Sequence, residues 1–334
     1  MSETTGASET SAMKETAGMR VLVGYSPDDR GEDALVLAAM VAKSANAPLT
    51  VAHVHPPAWP ARGPGSVDAE WVAYLRGQAD EALAEAAVRL GELQVPRPDV
   101  DLRSHAHRSS GRGLIETARK VGADLIVAGS APRGRRGRIT LGSTADQLLH
   151  GSHVPVMLAP RGYAAESPHH PGAGPPHRSP RRLERMTVAY WRRRDVEGPL
   201  AAAAEFAGSL GLPMRLLTLV LRPPGLAAKF HTAGGVLERQ VAQADEDLRQ
   251  AAGRLGGGMP VERLTAVGTG VGKALASVDM LAGEVLVCLS GHDGPLRKVF
   301  LGGNSGKIVR AAPCPVLVLP RGAAPRQDEK VQVR

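Results

Sequence analysis

A glycine-bearing loop after an apolar run holds the residues of this sequence that are best suited to chemistry. The run Asp124–Ala128 has the pattern of a buried strand, and it is followed by Gly129 and later by Gly142 and Ser143. Glycines let backbone N–H groups approach a phosphate, and the N-terminus of a helix adds unpaired donors and a favourable dipole. Ser143 also has a side chain suited to an N-cap. The pattern therefore predicts a phosphate-binding loop.

The same loop carries one proline and four arginines. Pro132 lacks a backbone N–H and fixes φ, so it removes one donor from the loop. Arginine side chains can grip phosphate oxygens directly and so replace lost backbone donors. They can equally form a solvated basic loop with no ligand, and the sequence leaves both interpretations open. The arginines are Arg133, Arg135, Arg136 and Arg138.

Two pairs of alternating histidines form a second candidate site. His53 and His55 lie in one predicted strand, and His105 and His107 lie in another. Alternate residues share one side of a strand, so four imidazoles could converge on a transition metal if the two strands are neighbours. No carboxylate or cysteine stands at matching spacing, which favours structural or pocket-lining histidines and no metal.

Alternating strand and helix patterns position these candidates. Short apolar runs predict strands, and longer segments with apolar residues at helical spacing predict helices. The expected order is strand Met19–Gly24, helix Asp33–Ala45, strand Leu49–Val54, helix Val67–Leu93, strand Val100–Ala106, helix Gly113–Val121, strand Asp124–Ala128, helix Ser143–His150 and strand Pro155–Leu158. Such βαβ units predict an α/β, doubly wound (Rossmann-like) domain, whose five-stranded parallel sheet has helices on both faces. Ligands of these sheets bind at the carboxyl ends of the strands.

The second half of the chain repeats the first. Gln78–Leu83 recurs as Gln243–Leu248, and Pro160–Gly162 recurs as Pro320–Gly322. Preserved segments separated by loops of different length indicate a duplicated domain rather than a short solenoid repeat. The expected organisation is a disordered tail 1–18, a domain 19–162, a Pro/His/Arg-rich linker 163–184, a second domain 185–322 and a tail 323–334.

The glycine loop gives the sequence a specific family resemblance. Members of the universal stress protein family carry, after the fourth strand, a glycine, two residues, a second glycine, nine residues and then Gly-Ser. Gly129, Gly142 and Ser143 match that pattern, whereas Pro132 stands in place of the second glycine. The chain thus resembles a tandem, UspA-like universal stress protein, and the resemblance covers both halves.

The resemblance implies an adenine-nucleotide site in the first half, with ATP as the expected ligand and Mg²⁺ accompanying it. In nucleotide-binding relatives, an acidic residue after the first strand and a residue of the second strand contact the adenosine, while the glycine loop holds the phosphates. Ser26 stands at the position of the acidic residue, followed closely by Asp28 and Asp29. The positions carried over are Ser26, Val54, Ala128, Gly129, Ser130, Arg133, Gly142, Ser143 and Thr144.

The second half departs from this pattern. Leu289 and His292 occupy the positions of the two loop glycines, Gly302–Asn304 replaces Gly-Ser-Thr, and Trp191 occupies the position of Ser26. Close approach of a phosphate is therefore not expected there, and this half is expected to stabilise its partner. The resemblance further implies that the two domains pair through their fifth strands, and it is compatible with a homodimer.

Composition narrows the function. The 334 residues carry a net charge of +8, but aromatic residues make up 3% and no nucleic-acid-binding motif is legible, which disfavours a nucleic-acid partner. Membrane-spanning and signal-peptide patterns are absent, so a cytoplasmic location and no membrane partner are expected. No general base is evident, so the expected role is stress-response regulation through bound ATP rather than catalysis, with weak hydrolysis left open. The alternative is a nucleotide-free scaffold or dimerisation module with both sites degenerate.

Overall fold

The structure is a computed structural model that describes residues 18–57, 68–96, 99–166, 182–191, 196–222, 232–255, 260–290 and 303–320. Residues 18–166 are called the first half below, and residues 182–320 the second half. The first half consists of β1 Val21–Gly24, α1 Asp29–Ala45, β2 Leu49–His55, α2 Asp68–Glu92, β3 Val100–Ala106, α3 Ser110–Val121, β4 Leu125–Gly129, α4 Ser143–Gly151 and β5 Val156–Ala159. The second half consists of β6 Arg185–Ala189, α5 Glu197–Ser209, β7 Met214–Leu221, α6 Thr232–Arg254, β8 Val261–Gly268, α7 Val271–Ala276, β9 Glu284–Leu289, α8 Gly303–Ala311 and β10 Val316–Leu319.

The predicted alternation of strands and helices is confirmed, but two helices begin before their apolar patterns, α1 and also α3, which begins at Ser110 rather than at Gly113. Helix α1 begins at Asp29 rather than at Asp33, because Asp28 caps it and accepts hydrogen bonds from the N–H groups of Arg30 and Gly31. An N-cap satisfies the first helical donors before any side chain of the helix reaches the core. Apolar periodicity therefore misses the first turn.

The described strands form one ten-stranded sheet in the order β3-β2-β1-β4-β5-β10-β9-β6-β7-β8. Within each half, neighbouring strands run parallel. In the first half β1 lies between β2 and β4. The connections to these strands therefore lead to opposite edges of β1. The carboxyl ends of β1 and β4 therefore flank the switch point, where doubly wound sheets open a crevice.

Strands β5 and β10 join the two halves. They pair antiparallel, with Val316 opposite Leu158 and Val318 opposite Val156. All four side chains are fully buried. This is the pairing of fifth strands that the family resemblance implies.

Two apolar cores, one on each face of the sheet, run through both halves. Helices α1, α2, α5 and α6 contribute to one core, and α3, α4, α7 and α8 contribute to the other. Helices thus cover both faces, as the alternating pattern predicts. Among the described helices, none has the length and apolar character needed to cross a bilayer.

The segment after β5 packs onto α1. Tyr163 and Ala164, placed in the linker by the sequence, are buried, and the Asp33 carboxylate accepts hydrogen bonds from the N–H groups of Gly162 and Ala164, each at 2.8 Å. The rest of the predicted linker from 167 to 181, and the predicted tails at 1–17 and 323–334, lie outside the described residues.

Candidate functional site

The candidate site is the crevice at the carboxyl ends of β1, β2 and β4, facing the first turn of α4. Ser26 follows β1, and Gly129 ends the neighbouring strand β4. A Cβ atom on Gly129 would lie 2.1 Å from the carbonyl oxygen of Arg30, and one on Gly31 would lie 1.8 Å from that of Ser26. The first turn of α1 is therefore packed tightly against both strand ends, which brings Ser26 and Gly129 to one corner of the crevice.

Gly129 is glycine because of this packing. The space that its side chain would fill is taken by the α1 backbone at Arg30, so any larger residue would push the helix away. The sequence predicted that this glycine leaves room for a phosphate. The structure shows a second requirement for glycine, because the α1 backbone at Arg30 occupies the space of a Cβ atom.

The opposite wall of the crevice holds Val54 and Thr144. A Cβ atom on Gly113 would lie 2.7 Å from Cγ1 of Val54, and one on Gly111 would lie 2.9 Å from the carbonyl oxygen of Thr144. The start of α3 thus sits against β2 on one side and against the start of α4 on the other. All the carried-over positions from Ser26 to Thr144 lie at this one edge of the sheet.

Gln147 is a positioning residue that the sequence analysis missed. Its Oε1 accepts hydrogen bonds from the Ser109 hydroxyl at 2.5 Å and from the Gly111 N–H at 3.2 Å. These bonds fix the start of α3 to α4. The pairing depends on how the two helices pack, and no local pattern in the sequence signals it.

Asp28 does not replace the missing carboxylate of Ser26. It caps α1 through Arg30 and Gly31, pairs with the Arg30 guanidinium, and accepts the Ser26 hydroxyl at 3.0 Å. Burial acts to raise the pKa of Asp28, but the hydrogen bonds from Arg30 and Gly31 outweigh it and lower the pKa below its usual value. Because Asp28 is ionised, Ser26 must donate in their bond, and the hydroxyl presents only lone pairs to the crevice.

Gly142, and not Ser143, is the N-cap of α4. The Gly142 backbone is extended, with φ −99° and ψ 178°, and its carbonyl accepts the N–H of Asp146 at 2.9 Å. Ser143 is the first helical residue and is exposed, so the expectation that it caps the helix is wrong. The N–H groups of residues 143–145 precede the first intrahelical bond and point out of the helix. A Cβ atom on Gly142 would meet Cβ of Ala131 at 3.2 Å, a tight contact that requires a small shift of Ala131.

The loop between β4 and α4 is closed at its base by Ser130. The Ser130 side chain is 1% exposed, and its oxygen accepts the Thr140 N–H at 2.7 Å. The Ala131 N–H donates to the Thr140 carbonyl at 2.8 Å. Ser130 therefore shapes the loop from inside, and Ala128 is buried in the core beside it.

The tip of the loop is fastened to the segment after β5 by Arg161. Its guanidinium donates to the Gly134 carbonyl at 2.5 Å, its N–H donates to the Arg138 carbonyl at 3.1 Å, and its own carbonyl accepts the Gly137 N–H at 2.9 Å. Pro132 follows Ala131 in a turn closed by the Gly134 N–H at 3.4 Å, the turn position that its fixed φ favours. Arg133 is exposed at this tip. The proline that breaks the family pattern thus has a local structural role.

The four paired histidines do not converge. Strand register places Val54 opposite His105, so His105 faces the side of the sheet opposite to His53 and His55. His105 and His107 share the Glu116 carboxylate, at 3.0 and 3.5 Å, and the hydrogen bond from His105 lowers the pKa of Glu116. Among the described residues no three His, Cys, Asp or Glu side chains form a group able to hold a metal. The four imidazoles therefore do not form one cluster.

The second half carries larger side chains at the matching strand ends. Leu289, at the position of Gly129, is 2% exposed within the core, and Ser305 donates to its carbonyl at 3.1 Å. Trp191, at the position of Ser26, packs partly buried against the core on the α7 and α8 face. His292 and Gly302, which the sequence analysis also used, lie outside the described residues.

Comparisons with known proteins agree with this architecture. The model of the universal stress protein family matches residues 19–160 and again residues 185–320. A universal stress protein from Mycobacterium tuberculosis is 35% identical over 313 residues, covering 90% of this chain and all of that protein. A stress response protein from Bacillus subtilis is 27% identical over 163 residues, or 42% of this chain and 96% of its own length.

The fold is also shared with solved structures. A universal stress protein from Archaeoglobus fulgidus superposes with a TM-score of 0.53 and 17% identity, covering 91% of this chain and 96% of that one. The similarity at this level concerns the fold. With two family matches on one chain and a relative that aligns over its whole length, the protein belongs to the universal stress protein family.

Proposed function

We propose that the protein is a stress-response regulator that binds one adenine nucleotide, with ATP the first ligand to test, in the crevice of the first half. The observation that carries the proposal is the open N-terminus of α4, where Gly142 is the N-cap and no side chain caps the first N–H groups of the helix. Two domains at 19–162 and 185–322 and a cytoplasmic location are parts of the same proposal.

The phosphate end of the crevice is the first turn of α4. Three consecutive N–H groups, from residues 143–145, are free of intrahelical bonds, and the helix dipole favours an anion there. Glycine at the N-cap leaves the approach unobstructed. Pro132 offers no N–H, so this proposal assigns the phosphate contacts to the α4 terminus and to the exposed Arg133 rather than to the loop backbone.

The ribose end is Ser26. Since the Ser26 hydroxyl donates its hydrogen bond to Asp28, its oxygen can accept a hydrogen bond from the crevice but cannot donate one towards it. A ribose hydroxyl would therefore meet an acceptor at this position, as it meets a carboxylate in relatives with an acidic residue. Val54 and the start of α3 offer an apolar wall on the far side for the base.

Binding without catalysis is the simplest role for this arrangement. Asp28 is engaged with Arg30, Gly31 and Ser26, so it is not free to activate a water. Mg²⁺ usually enters such sites on the nucleotide phosphates rather than on a protein cage, and the described residues offer no cage. The ligand would then act by stabilising one arrangement of the loop and of α4.

A scaffold without a nucleotide is the second candidate. It is favoured by the loss of the loop donor at Pro132 and by the continuous sheet through β5 and β10, which needs no ligand to join the halves. The two candidates differ in one measurable respect, since only the first requires saturable nucleotide binding.

The test is calorimetric titration of ATP with Mg²⁺ into nucleotide-stripped protein, for the wild type, Gly142→Asp and Gly142→Ala. Aspartate is a preferred N-cap and suits the extended backbone at Gly142, so α4 should be retained while a negative charge stands where phosphate would sit. We expect one nucleotide per chain, a loss of affinity of about tenfold or more in Gly142→Asp, and a smaller loss in Gly142→Ala. Absence of heat and of thermal stabilisation at millimolar ATP would leave the scaffold.

A further inference from the structure

A second basic site lies between the two halves, on the other side of the loop from the nucleotide crevice. Three arginines line one cleft of about 490 Å³, two from the β4–α4 loop and one from α8 of the second half. They are Arg135, Arg138 and Arg310. We propose that this arginine cleft binds a compact phosphate-bearing anion that touches both halves of the chain. The inference is independent of nucleotide binding in the crevice.

Charge is unbalanced in the arginine cleft. Asp146 is its single acidic lining residue, so three guanidinium groups face one carboxylate. Asp146 itself lies 3.4 Å from Nδ1 of His150. Within the described residues, none of the three arginines forms an ion pair. An anion in the cleft would supply the missing negative charge.

Two of these guanidinium groups are partly tethered while keeping donors free. Nη1 of Arg138 donates to the Gly137 carbonyl, and Nη1 of Arg310 donates to the Gly306 carbonyl, both at 3.1 Å. An arginine has five N–H donors, so each retains others for a ligand. A tethered fork loses less side-chain freedom on binding than a free one, and paired forks suit the oxygens of phosphate.

The loop separates the arginine cleft from the nucleotide crevice. The cleft lining includes Ile139, Thr140 and Leu141 but none of the carried-over nucleotide positions. Arg133 lies at the loop tip outside the lining, and Arg136 lies beside Gly162, with its side chain about 3.5 Å from where a Cβ would stand. The four loop arginines, which the sequence treats as one group, therefore divide between different surfaces.

A ligand in this cleft would connect the halves across the β5–β10 junction. Arg310 belongs to α8, whereas Arg135 and Arg138 belong to a loop that Arg161 fastens to the end of β5. The second half would thus contribute Arg310 directly to an anion site. Occupancy would restrain the loop that also leads into α4.

The test is calorimetric titration of inorganic pyrophosphate at low ionic strength, using the full chain. We expect saturable binding that weakens about tenfold in Arg310→Gln and also in Arg135→Gln, since each removes a charge-assisted contact. Arg136→Gln is the matched control, because it removes the same charge from the same loop at a residue that lies beside Gly162 outside the cleft, and its pyrophosphate affinity should stay within about twofold of wild type. Circular dichroism checks that each variant is folded.

Gly142→Asp separates this proposal from the nucleotide proposal. It should weaken ATP binding and leave pyrophosphate binding nearly unchanged, whereas Arg310→Gln should do the reverse. Equal losses in Arg310→Gln and Arg136→Gln would overturn the arginine cleft and indicate general attraction by a basic surface. Loss of pyrophosphate binding in Gly142→Asp alone would overturn it as well, by assigning the anion to the crevice.

Discussion

The two halves share one fold but carry different residues at the carboxyl ends of equivalent strands. At the carboxyl ends of β1 and β4, the first half has Ser26, Gly129 and an open α4 terminus. At the equivalent strand ends, the second half has a buried Leu289 and a partly buried Trp191. The second half thus buries apolar side chains at positions where the first half has a glycine and a serine. The small residues of the first half are the ones that the proposed nucleotide site uses.

The opposite, amino-terminal end of the strands shows the reverse contrast. In the second half, Glu284 is fully buried and pairs with Arg185 at 2.9 Å and with Arg215 at 2.8 Å, and Thr187 also donates to it. In the first half, the Asp124 carboxylate accepts the Arg20 N–H at 2.9 Å. The second half thus carries a buried network of charged and polar side chains at this end of the sheet, which fits a supporting role.

The largest predicted effect tests that network. Glu284→Gln should lower the free energy of unfolding by about 3–5 kcal/mol, because it leaves Arg185 and Arg215 without their buried counter-charge. Chemical denaturation followed by circular dichroism measures the loss. Asp124→Asn is the control at the matching position of the first half, and its loss should be clearly smaller, because asparagine keeps an oxygen that can accept the Arg20 N–H. Equal losses would remove the contrast between the halves.

The next effect concerns the glycine at the end of β4. Gly129→Ala should cost about 2–3 kcal/mol of unfolding free energy, since its Cβ would collide with the Arg30 carbonyl. Gly142→Ala, whose Cβ would only touch Ala131, should cost clearly less than Gly129→Ala. Thermal unfolding of the two variants ranks them. If the two alanines are tolerated equally, the packing of α1 is not what requires glycine at Gly129.

These contrasts also show which features of the fold and of the candidate site can be predicted from the sequence. The order of strands and helices follows from apolar periodicity alone, and so does the parallel, helix-covered sheet. The helix start at Asp28 and the turn at Pro132 depend on local hydrogen bonds that periodicity does not register. The division of the histidines depends on the register of Val54 with His105, and the contact of Arg161 with the loop depends on tertiary packing. The residue types indicated where the candidate site lies, but the contacts of each residue there follow only from the fold.

A smaller effect is expected from opening the base of the loop. Ser130→Ala removes the acceptor of the Thr140 N–H and should cost about 1–2 kcal/mol of unfolding free energy. Because the loop leads into α4, ATP affinity should also fall in Ser130→Ala. Ser143→Ala is the control: Ser143 is exposed, so this variant should leave the free energy of unfolding within about 0.5 kcal/mol of wild type. Denaturation and calorimetry on both variants give the two numbers. Unchanged stability in Ser130→Ala would mean that the loop closes without this bond.

The smallest effect is a difference in pH dependence between the crevices. Nδ1 of His53 donates to the Tyr25 carbonyl at 3.1 Å, and in the second half Thr218 makes the equivalent bond to the Tyr190 carbonyl at 2.9 Å. Burial lowers the pKa of His53 below 6.5, and the nearby His55 lowers it further.

Because the folded pKa of His53 is depressed, the unfolded chain binds more protons as the pH falls below about 6.5, and stability is lost in that window. His53→Thr installs the residue of the second half, keeps a donor for Tyr25, and should flatten the fall in stability between about pH 7 and 5. The midpoint of urea denaturation, measured at several pH values across this range for both proteins, tests this prediction. A slope as steep in His53→Thr as in the wild type would place the titrating group elsewhere.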